Sequence, residues 1–184
     1  MVLISHLLMF LALSRSTTVA LWPIPSAIRT GTTPLKLSTD FSITTTAILH
    51  PPSDLLAAVQ DVHSRMRTDK FQRLVIGRGA ADADAIRDAS QLNTLELALV
   101  SGAPPARTVA AEATLPLSTR SEWYNLSIPS TGLAARLVAN STLGLFRGLT
   151  TFSQLWYAYG ADKYILEAPV EIGDKPAFVS VVIS

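Results

Sequence analysis

Tyr124-Asn-Leu-Ser-Ile128, the turn Ser130-Thr-Gly132 and Leu133-Ala-Ala-Arg-Leu-Val-Ala139 read together as a β-hairpin. Successive side chains alternate across a strand, so Tyr124, Leu126 and Ile128 share one side and Asn125 and Ser127 the other. Asn140-Ser-Thr142 follows at once and opens a helix in which Leu145, Phe146, Leu149, Phe152 and Trp156 recur at helical spacing.

Working outward, Pro51-Pro52 breaks the chain before a second helix. Its apolar residues Leu55, Leu56, Val59, Val62 and Met66 fall on one face, with Ser53 or Asp54 as the expected cap. Leu35, Leu37, Phe41 and Ile43 alternate with polar residues, which predicts one strand or two close together. Leu74-Val-Ile76, closed by Gly77-Arg-Gly79, predicts a short buried strand. Residues 80–93 read as a loop or a short exposed helix, residues 95–100 as a strand, and residues 113–117 as a weaker segment. The last strand spans residues 164–172, with Leu166, Ala168, Val170 and Ile172 alternating with Glu167, Pro169 and Glu171. The order is strands, helix, strands, hairpin, helix, strand. This predicts an α+β fold: a mixed, mostly antiparallel sheet with two helices packed on one face.

The chain has 184 residues, 48% of them hydrophobic and 16% charged, enough for one domain with a sizeable core. A formal net charge of +1, with basic residues scattered, gives no electrostatic footprint for nucleic acid or an anionic membrane. Having no cysteine, the chain makes no disulfide, thiolate nucleophile or cysteine-based metal site.

Residues 3–13 form an apolar run shorter than the roughly 20 residues a membrane span needs. Thr18 and Ala20 are small residues at the two positions that a signal peptidase reads. Residues 1–20 are therefore expected to be a signal peptide, a buried N-terminal helix being the alternative. The mature chain is expected to be secreted, vacuolar or lysosomal, with no membrane segment after cleavage. Two sequons, Asn125-Leu126-Ser127 and Asn140-Ser141-Thr142, make Asn125 and Asn140 the candidate N-glycosylation sites.

Other constellations carry little chemistry. Gly77-x-Gly79 lacks the third glycine of a nucleotide loop, and Asp82, Asp84 and Asp88 behind it would repel phosphate. Those aspartates also lack the later ligands and the glycine of a calcium-binding EF-hand loop. His6, His50 and His63 show no metal-ligand spacing, and there is no Gly-x-Ser-x-Gly elbow. No catalytic residue, metal ligand or cofactor site is assigned.

Gly144-Leu-Phe-Arg-Gly148-Leu-Thr-Thr-Phe152-Ser-Gln-Leu155 resembles the helix before the catalytic barrel of eukaryotic β-N-acetylhexosaminidases, glycoside hydrolase family 20. Leu21-Trp-Pro-Ile-Pro25 with Leu35-Lys-Leu-Ser38, the hairpin strands, and Ile172-Gly-Asp174-Lys-Pro176-Ala-Phe178 are similar to other parts of that family's N-terminal domain. The resemblance implies an α+β domain that braces a TIM barrel. It also implies an activity that removes terminal N-acetylhexosamine from chitin fragments and glycans, with an adjacent Asp-Glu pair assisting the substrate's own acetamido group.

Within this chain no two acidic residues are adjacent, and Val179-Ser-Val-Val-Ile-Ser184 carries no arginine where the family places its sugar-holding one. Gly148, Phe152 and Gln154 have packing roles in the resemblance. The expected layout is a leader at 1–20, the non-catalytic domain at 21–178 and a divergent tail at 179–184, in a chain truncated before the barrel and inactive. A binding module that docks on a full-length hexosaminidase or on glycan is the alternative. An unrelated enzyme built on His63 or on the aspartates at 82–88 is a third reading, one without partner residues.

Overall fold

The computed structural model describes residues 20–175. Strand β1 (Ala27–Thr44) is a single strand of 18 residues, beginning well before the alternating leucines. Its first part pairs antiparallel with β6 (Asp162–Asp174), Ile28 opposite Ile172. Its second part pairs parallel with β2 (Ser90–Leu99), Ile43 opposite Leu95. β2 then pairs parallel with β4 (Leu133–Ala139), and β4 antiparallel with β3 (Tyr124–Ile128). β3 returns to β6, so the pairings close a circuit through β1, and β5 (Tyr157–Tyr159) adds to β6 as a hairpin. The sheet is mixed, and antiparallel in all pairings except β1–β2 and β2–β4.

Two helices cover one face, as the spacing predicts. α1 (Ser53–Thr68) buries Leu55, Val59, Val62 and Met66. α4 (Thr142–Phe152) buries Leu145, Leu149 and Phe152 in the same core as Leu35, Leu37, Leu97, Leu126 and Leu137 of the sheet. Ser141 caps α4, its hydroxyl accepting the Gly144 N–H at 3.1 Å and so satisfying a donor that the first turn leaves free.

Several expectations fail for identifiable reasons. Leu74-Val-Ile76 is no buried strand: Leu74 is 89% and Ile76 102% exposed. The chain turns away there through Gly77, Arg78 and Gly79, all three with positive φ, into a 3-10 turn over Ile76–Asp82. An apolar run alone does not say whether a neighbouring strand offers it hydrogen bonds. Helix α1 is capped by neither Ser53 nor Asp54. Pro52 occupies the cap position, its carbonyl accepting the Leu56 N–H at 3.1 Å. Asp54 instead accepts the Ala110 N–H at 3.1 Å and tethers α3 (Val109–Ala113), a helix that ends where the weak segment was expected to begin.

The exposed stretch at 80–93 contains α2 (Ala83–Arg87), then the start of β2. Ile86 of α2 and Tyr164 of β6 are both buried outside the main core, so this segment caps part of the opposite sheet face. Alternation in β6 also slips. Between Ala168 and Ile165 the register with β1 shifts, leaving Leu166 half-buried and Glu167 buried.

Candidate functional site

Helix α4 presents Phe146, Arg147 and Thr150 outward from its buried side, because a repeat of 3.6 residues leaves one face for solvent. A groove of ≈ 330 Å³ separates it from α1, lined by Val62, Arg65, Phe71, Phe146, Leu149 and Trp156. The Phe71 and Trp156 rings meet there at 6.3 Å between centroids. On the other flank lies a cleft of ≈ 370 Å³ between Pro23, Glu122, Arg147 and Asp174.

Three tethers hold this layer. Gln154 mimics a strand partner for Trp22: its Oε1 accepts the Trp22 N–H at 2.8 Å and its Nε2 donates to the Trp22 carbonyl at 3.0 Å. Asp174 accepts from both the N–H (3.0 Å) and the hydroxyl (2.7 Å) of Ser26. Glu122, buried, accepts from Arg147 Nε at 2.7 Å and pairs with Arg120 Nε at 3.2 Å. Glu122 is buried while Arg147 is half exposed, so this pair gains from the charge-assisted hydrogen bond and the shared network rather than from full shielding. Sequence reasoning missed the Glu122–Arg147 and Ser26–Asp174 contacts, whose members lie far apart along the chain and leave no local pattern. Gln154 and Phe152 were singled out, and both lie in this layer as packing and tethering residues.

The other candidates are dispersed. Asp82 is bound to Arg73 at 2.9 and 3.1 Å and accepts the Tyr164 hydroxyl at 3.2 Å, which makes it a structural clasp. Asp84 pairs with Arg87 at the surface. Burial, then the Asp82 charge, pushes the Tyr164 hydroxyl up. Nearby, burial raises the Glu167 carboxyl, with Arg73 opposing it. His50 sits in the turn before α1 with φ 52°. Among the described residues no group of three His, Asp or Glu is placed to hold a metal ion. Residues 1–19, with His6 and nearly all of the expected leader, and residues 176–184 lie outside the described residues.

His63 has a defined structural use. Its Nε2 accepts the Ile43 N–H at 3.1 Å, pinning α1 to β1. Burial, then the Arg67 charge, lowers its pKa below 6.5. The unfolded chain therefore takes up this proton more readily than the folded one, so the stability present above 6.5 is lost as pH falls through the folded value. The urea midpoint is expected to drop between about pH 7.5 and about pH 5.5, and His63→Gln to flatten that drop. An equal drop in both proteins would exclude the role.

Asn125 lies on β3 opposite Val138 of β4, whereas Asn140 follows the end of β4, in the bend before α4. Asn140 is exposed and Asn125 half-buried.

Residues 21–155 match a family described as beta-acetyl hexosaminidase like. The chain belongs to that family. This hexosaminidase-like chain also resembles solved structures. One is a chitobiase from Flavobacterium johnsoniae, 18% identical with a TM-score of 0.55, covering 86% of this chain and 21% of the other. A second, CpGH84B, is 13% identical with a TM-score of 0.51, covering 88% and 23%. At these identities the likeness is one of fold. The hexosaminidase-like chain spans about a fifth of the length of either structure. No curated protein matches it.

Proposed function

We propose that this chain is the non-catalytic N-terminal domain of a secreted, eukaryotic-type β-N-acetylhexosaminidase, and that the 184-residue chain alone is catalytically silent. In this reading residues 1–20 are a leader, Asn125 and Asn140 bear glycans, and the α1–α4 layer braces a barrel acting on N-acetylhexosamine glycosides. The family match over residues 21–155 carries the reading. The outward residues of α4 support it: Phe146 is apolar, Arg147 is held by Glu122 and the Thr150 hydroxyl donates to the Phe146 carbonyl, so none is arranged for acid–base chemistry. No helix among the described residues is long and apolar enough to cross a membrane.

The purified chain is expected to release no chromophore from a chromogenic N-acetylglucosaminide. Turnover that follows the monomer through gel filtration would sink the reading. A second reading, a free module docking on a full-length hexosaminidase, is favoured by Phe71, Leu74 and Ile76, three large apolar residues exposed within six positions of the chain. Co-purification with such an enzyme would distinguish it from a brace that acts only in cis.

A further inference from the structure

We propose that Asn125 carries an N-linked glycan whose first sugar lies over Gly173 on the open face of the sheet. This rests on the reading of the chain as secreted, because the transferase acts on that route.

Asn125 begins a sequon, and its neighbours Tyr124 and Leu126 point into the core, which leaves Asn125 on the outer face. Its cross-strand partners there are Val138 on β4 and Gly173 on β6, and beyond Gly173 comes the exposed Ala27 of β1. Gly173 is unlike the glycines that the fold demands. Its φ lies outside the left-handed region, and among the described residues a Cβ added there would meet only Asn125 Nδ2, at 3.9 Å. Backbone conformation does not require glycine at 173, nor does packing among the described residues.

A glycine inside a strand weakens it and marks a place where another group approaches closely. Among the described residues, the side chain within reach is that of the glycan acceptor itself. A side chain at 173 would occupy the space along which a sugar leaving Asn125 must run.

In the folded chain the Ser127 hydroxyl of the sequon is engaged with Glu171, so the transferase needs this contact open. Asn125 Nδ2 bonds to the anomeric carbon of an oligosaccharide carried on a polyprenyl diphosphate. The carbon–oxygen bond to the diphosphate breaks, one amide proton is released, and the lipid diphosphate leaves.

The test uses the full 184-residue chain, secreted from a eukaryotic host behind a heterologous cleavable leader and made in parallel in bacteria without the glycan. Peptide mapping before and after N-glycosidase is expected to find Asn125 occupied. Gly173→Val is expected to leave the melting temperature of the bacterial protein unchanged or raise it by a few degrees, as a β-branched residue replaces glycine. In the glycosylated protein the same change is expected to lower it, and Asn125→Gln to abolish the difference. An unmodified Asn125 in the secreted protein, or an equal effect of Gly173→Val in both forms, would overturn the proposal. Because the leader is supplied, a failure of residues 1–20 to direct export would count against secretion alone.

Discussion

Phe152→Ala is expected to remove about 3–5 kcal/mol of stability, the range for truncating a buried aromatic side chain. Phe152 has no exposed surface. Its ring stacks on Phe41 of β1 at 5.8 Å between centroids with planes 10° apart, so it closes the seam where α4 meets the sheet. Truncation removes transfer energy and leaves a cavity between two rigid elements that cannot collapse together. Domains of this size hold roughly 5–15 kcal/mol in all, and the variant is expected to populate the unfolded state measurably at physiological temperature. Phe152→Leu, keeping most of the volume, is expected to lose less than about 1.5 kcal/mol. Equilibrium urea unfolding measures both. A loss below about 1 kcal/mol for the alanine variant would show that the seam is not packed as described.

Gly144→Ala is expected to destabilise by about 1–3 kcal/mol, the penalty for overpacking, against the sign that helix propensity alone demands. In an open helix interior the same change gains about 1 kcal/mol. Here the new Cβ would stand 2.4 Å from the Trp123 carbonyl oxygen and 2.9 Å from the Ala139 Cβ. Both obstacles are backbone or bonded to it, so neither swings aside, and α4 would have to lift from the β3–β4 hairpin. Gly148 faces the side-chain ends of Leu137 instead, so the obstruction there is a rotamer problem rather than a backbone one. Thermal unfolding decides the matter, at about 2–4 °C per kcal/mol. A raised melting temperature for Gly144→Ala would mean that the helix stands farther from the hairpin.

Much of the fold was legible locally. The hairpin, α1 and α4 follow from periodicity, because each must bury one side and its apolar residues mark that side directly. Tyr124, Leu126 and Ile128 are buried as their alternation requires. The misreadings came where local pattern and burial part company. Leu74-Val-Ile76 is apolar enough for a strand, yet among the described residues no strand pairs with it, and the following left-handed residues turn the chain into a surface strap. Glu167 reads as a solvent-facing residue, yet the register shift against β1 and the strap over that face bury it near Arg73 and Tyr157. β5 went unseen, since three residues carry too little periodicity to register.

Legibility of the candidate site divides in the same way. Sequons and the Gly144–Leu155 segment are short-range patterns and stand out in the chain. Glu122 with Arg147, Asp174 with Ser26, and Gln154 with Trp22 join residues up to 148 positions apart, and nothing in either partner's neighbourhood announces the other.

By itself, then, the amino-acid order determined the fold class, the two long helices with their buried faces, the hairpin, the sequons and the family resemblance. All of these depend on side-chain chemistry repeated over a few residues. Tertiary structure alone decided that β1 serves two neighbours, that α4 and its tethers form one outward layer, and that Asn125 lies beside a glycine 48 positions away across β3 and β6. The reason is physical: periodicity reports which side of an element is buried, whereas strand register and contact between distant segments are set only when the whole core closes.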